Sequence, residues 1–328
     1  MNSFIRAIEY HLPDRHLDNA ELASLFEGWS AAKIEFKTGI KSRRVAGENE
    51  TASDLGVTAA GKLFDSGVIR RDEVDFLLFC SESPDYPLPP TACVVQNRLG
   101  IPVTCGALDF NLGCSGFVYG LGLAHALVMS EQARNVLLIT ADTYTKYIAP
   151  TDQTTRAIFG DGAAATLISQ CPEPRIGPFV YGTDGSGCNN LIVERGGSRS
   201  KLSAVFEKSP QPDHLHMNGP EVFNFSITEV PKAVQALLNK AGISLDAVNC
   251  TVFHQANKFM LEHLRDKIGI DANRFFIEMT ETGNTVSASI PIALKIAADR
   301  GVITSGMTIM LVGFGVGYSW AATLLRWK

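Results

Sequence analysis

Gly67-Val68-Ile69-Arg70-Arg71-Asp72-Glu73-Val74-Asp75-Phe76-Leu77-Leu78-Phe79-Cys80 and Gly242-Ile243-Ser244-Leu245-Asp246-Ala247-Val248-Asn249-Cys250-Thr251-Val252-Phe253-His254 follow one plan. Each runs from a Gly-aliphatic pair through a short polar turn into an apolar strand. Outward from them the match continues. Leu55 to Phe64 reads as a helix before the first stretch, and Val230 to Leu238 as one before the second. Downstream, Gly113-Cys114 and Gly283-Asn284 each open an apolar helix, the first running from about Ser115 to Met129. Strands follow at Val136–Ile139 and Thr308–Val312. The offset between the halves stays between 170 and 175 residues, which marks an internal duplication. Helices alternating with continuous apolar strands give an α/β architecture around buried sheets. In such sheets, sites gather beyond the carboxyl ends of the strands. The repeat therefore brings three distant residues towards one crevice: Cys114 and Asn284 at matching helix starts, and His254 at a strand end.

The composition narrows the function classes. The chain has 328 residues, 45% hydrophobic and 19% charged, an ordinary globular balance with ample material for a core. A net charge of −5, without a dense Lys/Arg run, offers no field for nucleic acid. The opening residues lack the apolar core of a signal peptide. The longest apolar stretch, Phe117 to Met129, includes His125 and is too short to span a bilayer. A soluble protein is expected. Seven cysteines without a Cys-x-x-Cys pair argue against a disulfide framework, and six are expected as small buried hydrophobes. His214 and His216 read as surface residues, so no metal is expected.

Cys114 sits in Asn111-Leu112-Gly113-Cys114-Ser115-Gly116-Phe117. A sulfur at a helix start faces unpaired N–H groups, which favour the thiolate and lower its pKa. The competing reading is a structural cysteine after a helix-start glycine. His254, in Phe253-His254-Gln255-Ala256-Asn257, is either a satisfied strand-end residue or a site residue. Asn284 is either a helix N-cap or a group that points into the crevice. Gly313-Phe314-Gly315-Val316-Gly317 lacks the Rossmann spacing and lies too near the last residue for a ribose-binding acid. Such a glycine-rich loop can instead aim backbone N–H groups at a developing oxyanion. Asp161, in Phe159-Gly160-Asp161-Gly162-Ala163, reads as a structural turn residue.

Gly113-Cys114-Ser115-Gly116, Phe159-Gly160-Asp161-Gly162-Ala163, His254-Gln255-Ala256-Asn257, Gly283-Asn284-Thr285 and Gly313-Phe314-Gly315-Val316-Gly317 together resemble the ketosynthase III branch of the thiolase superfamily, in its order and over essentially the whole chain. The resemblance implies a duplicated thiolase-like five-layer αβαβα fold. Residues 1–171 would form the half that carries the nucleophile, and residues 172–328 the half that carries His and Asn. It implies transfer of an acyl group from CoA or acyl-carrier protein to Cys114, then decarboxylative condensation with malonyl-carrier protein. His254 and Asn284 would bind the malonyl thioester oxygen, and the N–H groups of Cys114 and Val316 the acyl carbonyl. Substrate contacts are implied at Phe159, Met217, Asn218 and Phe314. No cofactor is implied beyond CoA or phosphopantetheine thioesters as substrates, and a cytoplasmic homodimer is expected, with no nucleic-acid or membrane partner.

Some positions depart from the family pattern. The Trp and Arg that grip CoA near the Thr-Gly-Ile turn are Lys33 and Lys37 here. The usual Arg after His-Gln-Ala-Asn is Phe259, the usual glycine in the final loop is Val316, and the residue capping the partner's acyl pocket is Leu88 instead of Phe. These changes bear on the CoA grip and the acyl length. Three rival readings share the same residues: an acyltransferase acting on a hydroxyl or amine, a non-catalytic partner subunit, and a cysteine hydrolase.

Overall fold

A computed structural model describes residues 1–198 and 211–328. The first half contains strands β1 (Asn2–His11), β2 (His16–Asp18), β3 (Ser42–Arg44), β4 (Phe76–Cys80), β5 (Gly106–Phe110), β6 (Asn135–Asp142) and β7 (Gly162–Cys171). Its helices are α1 (Asn19–Ser24), α2 (Ala31–Thr38), α3 (Ala52–Asp65), α4 (Thr91–Leu99), α5 (Gly116–Met129) and α6 (Gln153–Arg156). The second half contains β8 (Ile176–Thr183), β9 (Leu191–Val193), β10 (Leu215–Met217), β11 (Cys250–Phe253), β12 (Phe275–Phe276), β13 (Thr308–Gly315) and β14 (Ser319–Arg326), with α7 (Gly219–Ala241), α8 (Lys258–Ile268) and α9 (Ser289–Asp299).

The duplication is visible in the strand order. One sheet runs β1-β7-β6-β4-β5 and the other β8-β14-β13-β11-β12. In each, the first two pairings are antiparallel and the last two parallel. Helices α5 and α9 touch strands of both sheets, so they form the central layer. Helices α3 and α4 cover the outer face of the first sheet, and α7 and α8 lie outside the second. The order is therefore αβαβα.

Sequence follows layer. In the central helix α5, Phe117, Val118, Leu121 and Ala124 are fully buried, because sheets press on it from both sides. The outer helix α3 buries Leu55, Ala59, Leu63 and Phe64 on one face. A capping box, Thr51 with Asp54, fixes its start. Among the described residues no helix is long and apolar enough to cross a membrane.

Three expectations change. Helix α7 begins at Gly219, well before Val230, and runs through Pro231. Its start carries the signature of an Asn218 cap followed by Pro220 in the first turn. Asn284 does not open α9; a 3-10 turn, Val286–Ala288, comes between. Cysteines are not uniformly buried, since Cys93 and Cys188 are exposed and Cys105 and Cys171 partly so.

Candidate active site

Cys114 occupies a tight turn two residues before α5, where the Gly116 N–H donates to the Gly113 carbonyl (2.8 Å). The turn presses on the end of β13. A Cβ on Gly315 would lie 2.7 Å from the Cys114 Cβ and 2.9 Å from its Sγ, so only glycine fits there. The hydroxyls of Ser115 and Ser319 meet at 2.7 Å, and Ser319 donates to the Val316 carbonyl (2.7 Å). The Cys114 turn of one half is thus tied to the last hairpin of the other.

Burial pushes the Cys114 thiol well above its ordinary 9.0, and the Glu82 and Asp142 carboxyls add to the rise. The backbone N–H groups of Cys114 and Val316 pull in the opposite direction. The helix-start reading expected a lowered pKa; desolvation outweighs the dipole because the sulfur is enclosed. The carboxyls are themselves perturbed. Burial, with Asp142 nearby, raises Glu82 to about 8, and burial raises Asp142 to about 7. Near neutral pH both are partly protonated, which weakens their repulsion of a thiolate. Asp142 also joins the halves, accepting the Glu82 N–H (2.8 Å) and the hydroxyl and N–H of Ser287.

His254 follows β11 directly, its N–H bonded to the Val312 carbonyl (2.8 Å). Its neighbours hold the segment still. Gln255 donates to Phe253 O (2.6 Å) and accepts from the Glu278 N–H (2.7 Å), and Asn257 caps α8 through the Met260 N–H (2.9 Å). The ring is buried, with Nδ1 2.8 Å from Ser289 Oγ. Burial lowers its pKa from 6.5 to about 3, weakly opposed by the Val286 backbone, so the ring is neutral at ordinary pH.

Asn284 is gripped by the first half. Its N–H donates to Ile158 O (2.9 Å) and its carbonyl accepts the Gly160 N–H (3.0 Å). Gly283 before it has φ +69°, and a Cβ there would come within 2.9 Å of Ile158 O. The side-chain Oδ1 accepts the Val286 N–H (2.9 Å), and Nδ2 lies 3.4 Å from His254 Nε2. The oxygen thus holds the first N–H of the 3-10 turn while the NH₂ faces the histidine. Asp161 does structural work, its carboxylate taking the Ala46 N–H (2.8 Å) and the Thr145 N–H (3.0 Å).

Cys114, His254 and Asn284 line one cavity of about 190 Å³, together with Phe159, Met217 and Phe314. Lys33 and Lys37 stand exposed on α2, which packs beside α8, and neither lines the cavity. Leu88 is 81% exposed on the loop before α4. Asn218 caps α7 without lining the cavity. Sequence reasoning missed Val222, Phe223 and Ser226, the wall supplied by the first turns of α7. The Asn218–Pro220 start and their helical spacing carried that signal. It also missed Ser289 and the Glu82–Asp142 pair. Among the described residues no group of three His, Cys, Asp or Glu is arranged to hold a metal.

Two family models match the chain: "3-Oxoacyl-[acyl-carrier-protein (ACP)] synthase III" over residues 108–185 and the corresponding C-terminal model over residues 238–327. The chain is 35% identical to a β-ketoacyl-[acyl-carrier-protein] synthase III of Clostridioides difficile, covering 98% of each chain. It belongs to the 3-oxoacyl-(acyl-carrier-protein) synthase III family. Its fold superposes on a crystal structure of a 3-oxoacyl-(acyl-carrier-protein) synthase III with a TM-score of 0.97, at 49% identity and full coverage of both chains. The 3-oxoacyl-(acyl-carrier protein) synthase of Burkholderia xenovorans gives 0.93, at 36% identity, covering 100% of this chain and 95% of that one.

In this synthase III, the raised thiol pKa has a direct readout. Alkylation of Cys114 by iodoacetamide, mapped by peptide so as to separate it from Cys93 and Cys188, should accelerate with pH up to and beyond pH 9. Only the thiolate reacts, and its fraction grows until the pKa is passed. A plateau near neutrality would show the helix dipole prevailing over burial.

Proposed function

We propose that the chain catalyses decarboxylative condensation of a Cys114-bound acyl group with malonyl-carrier protein, giving a 3-oxoacyl thioester in the cytoplasm. The observation that carries this is the pairing of Asn284 Nδ2 with His254 Nε2, 3.4 Å apart on the wall that also holds Cys114. Two neutral donors converging on one point suit an oxygen that gains charge.

In the first half-reaction the Cys114 sulfur attacks the acyl thioester carbon. The N–H groups of Cys114 and Val316 hold the oxyanion, the donor thiolate departs, and the cysteine's proton ends on that thiol. In the second, the malonyl thioester oxygen sits between His254 Nε2–H and Asn284 Nδ2–H. Loss of carbon dioxide leaves an enolate whose carbon attacks the acyl-cysteine carbonyl, and collapse of the tetrahedral adduct releases the Cys114 sulfur. No metal or redox cofactor enters these steps. Transfer to a hydroxyl or amine, and hydrolysis, would each benefit from a general base near neutrality. A histidine held near 3 is poorly matched to that task.

The residue ranges 1–171 and 172–328 are proposed as the two functional halves, one giving the nucleophile and the other the donors. Strand β7 ends at Cys171 and β8 begins at Ile176, so the division falls in their connection. A homodimer is also proposed. Strand β5 is a sheet edge, and Leu88, Val103 and Leu108 are exposed around it (81%, 94% and 45%). Native chains seldom leave such an edge uncovered. Leu88 would then reach the partner's acyl pocket.

Asn284→Ala should still acylate Cys114, as read by intact mass, while condensation falls roughly 10²–10³-fold. Equal loss of both half-reactions would instead assign Asn284 to holding the Val286 turn. Lys33 and Lys37 provide point charges without a stacking plane or a bidentate fork. Acyl-CoA donors should therefore load slowly and with strong salt sensitivity, and the same acyl groups on carrier protein faster; a clear preference for acetyl-CoA at ordinary salt would contradict this. Leu108→Glu should convert a dimer to monomers in sedimentation velocity, and a wild-type protein already monomeric would remove the dimer proposal.

A further inference from the structure

The condensation step proposed above needs the hydrogen of a neutral His254 on Nε2. A buried neutral imidazole carries one hydrogen, and its position follows from the partner of the other nitrogen. That partner is Ser289, the first residue of α9, whose Oγ lies 2.8 Å from Nδ1. Ser289 and His254 are 3% and 2% exposed, so water does not compete for the contact. The Ser289 oxygen also accepts the backbone N–H of Gln255 at 3.4 Å. That bond engages one of its lone pairs and leaves its hydrogen available for Nδ1.

We infer that Ser289 is a positioning residue: its hydroxyl donates to His254 Nδ1, places the ring hydrogen on Nε2 and thereby makes His254 a donor beside Asn284 Nδ2. This rests on the condensing role assigned to the pair, and it adds the device that selects one of the ring's two neutral forms. The alternative form has its hydrogen on Nδ1. There Nε2 would be an acceptor filled by the Asn284 NH₂ across the 3.4 Å gap, and the pair would present no converging donors. Ser289 and Asn284 thus favour opposite forms, each by donating to the nitrogen it faces. The shorter contact, 2.8 Å against 3.4 Å, decides it. The placement also follows from the chain: Ser289 lies five residues after Asn284, across the 3-10 turn that Asn284 itself caps.

The test separates tautomer from chemistry. Full-length protein labelled with ¹⁵N-histidine, with His254 assigned by its loss in His254→Asn, should show the Nε2–H pattern in long-range ¹H–¹⁵N correlations near neutral pH. In Ser289→Ala only the Asn284 NH₂ is left to donate to the ring, at Nε2, and the pattern should change to Nδ1–H. Cys114 acylation should persist in that variant while condensation falls on the order of 10²-fold. Ser289→Thr, which keeps the hydroxyl, should restore both the Nε2–H pattern and condensation. An Nδ1–H pattern in the wild type, or an unchanged Nε2–H pattern in Ser289→Ala, overturns the assignment. Loss of Cys114 acylation in Ser289→Ala would show a collapsed site, and the decision then passes to the wild-type and Ser289→Thr spectra. Condensation unaffected by removal of His254 would overturn the functional reading instead, leaving the tautomer result standing.

Discussion

The Cys114 turn of the first half and the second half's final hairpin touch without a side chain between them. Gly315 stands so close to Cys114 that a methyl group would overlap the sulfur, and the Ser115–Ser319–Val316 hydrogen bonds hold that contact. The central layer makes the contact possible. Helices α5 and α9 fill one slot between two sheets, and the turns before them meet where Cys114 and Asn284 share a cavity. The Asn284 backbone is likewise held by residues of the other half, Ile158 and Gly160. Each half positions the reactive group of its counterpart.

Enclosure sets the electrostatics as firmly as the geometry. The same desolvation that keeps His254 neutral keeps the Cys114 thiol protonated and the Glu82 and Asp142 carboxyls partly so near neutral pH. A site full of neutral groups suits a reaction whose charge is transient. The enolate and the tetrahedral oxyanion then meet preoriented N–H groups, with few standing charges to disturb them. His254, held neutral, stands there as a hydrogen-bonding group.

The sequence made the duplication legible because strands buried on both faces must be apolar throughout, and the two copies at Val74 and Val248 kept that character. It also exposed Cys114, His254 and Asn284, since each stands at an element boundary where periodicity changes. It could not report enclosure. The sulfur's environment is made by Glu82, Asp142 and Val316, none near it in sequence, so a local helix-start reading gave the wrong direction for its pKa. Helix α7 was read short, from Val230 instead of Gly219, because the apolar run begins there while the first turns are held by the Asn218 cap and by packing around the cavity. Ser289 had no local mark at all: a serine at a helix start is ordinary until a histidine from another strand is placed 2.8 Å away.

On the proposed reaction, the cavity lined by Cys114, His254 and Asn284 would receive both thioesters in turn. They are therefore consecutive tenants, and the first thiol has to leave before the malonyl group can reach the two donors. Kinetically this is double displacement, in which each substrate reacts with a different form of the enzyme. It also makes them rivals: a malonyl thioester that enters before Cys114 is acylated blocks the acyl donor. Throughput then depends on the ratio of the two thioester pools, and a surplus of the extender slows its own use.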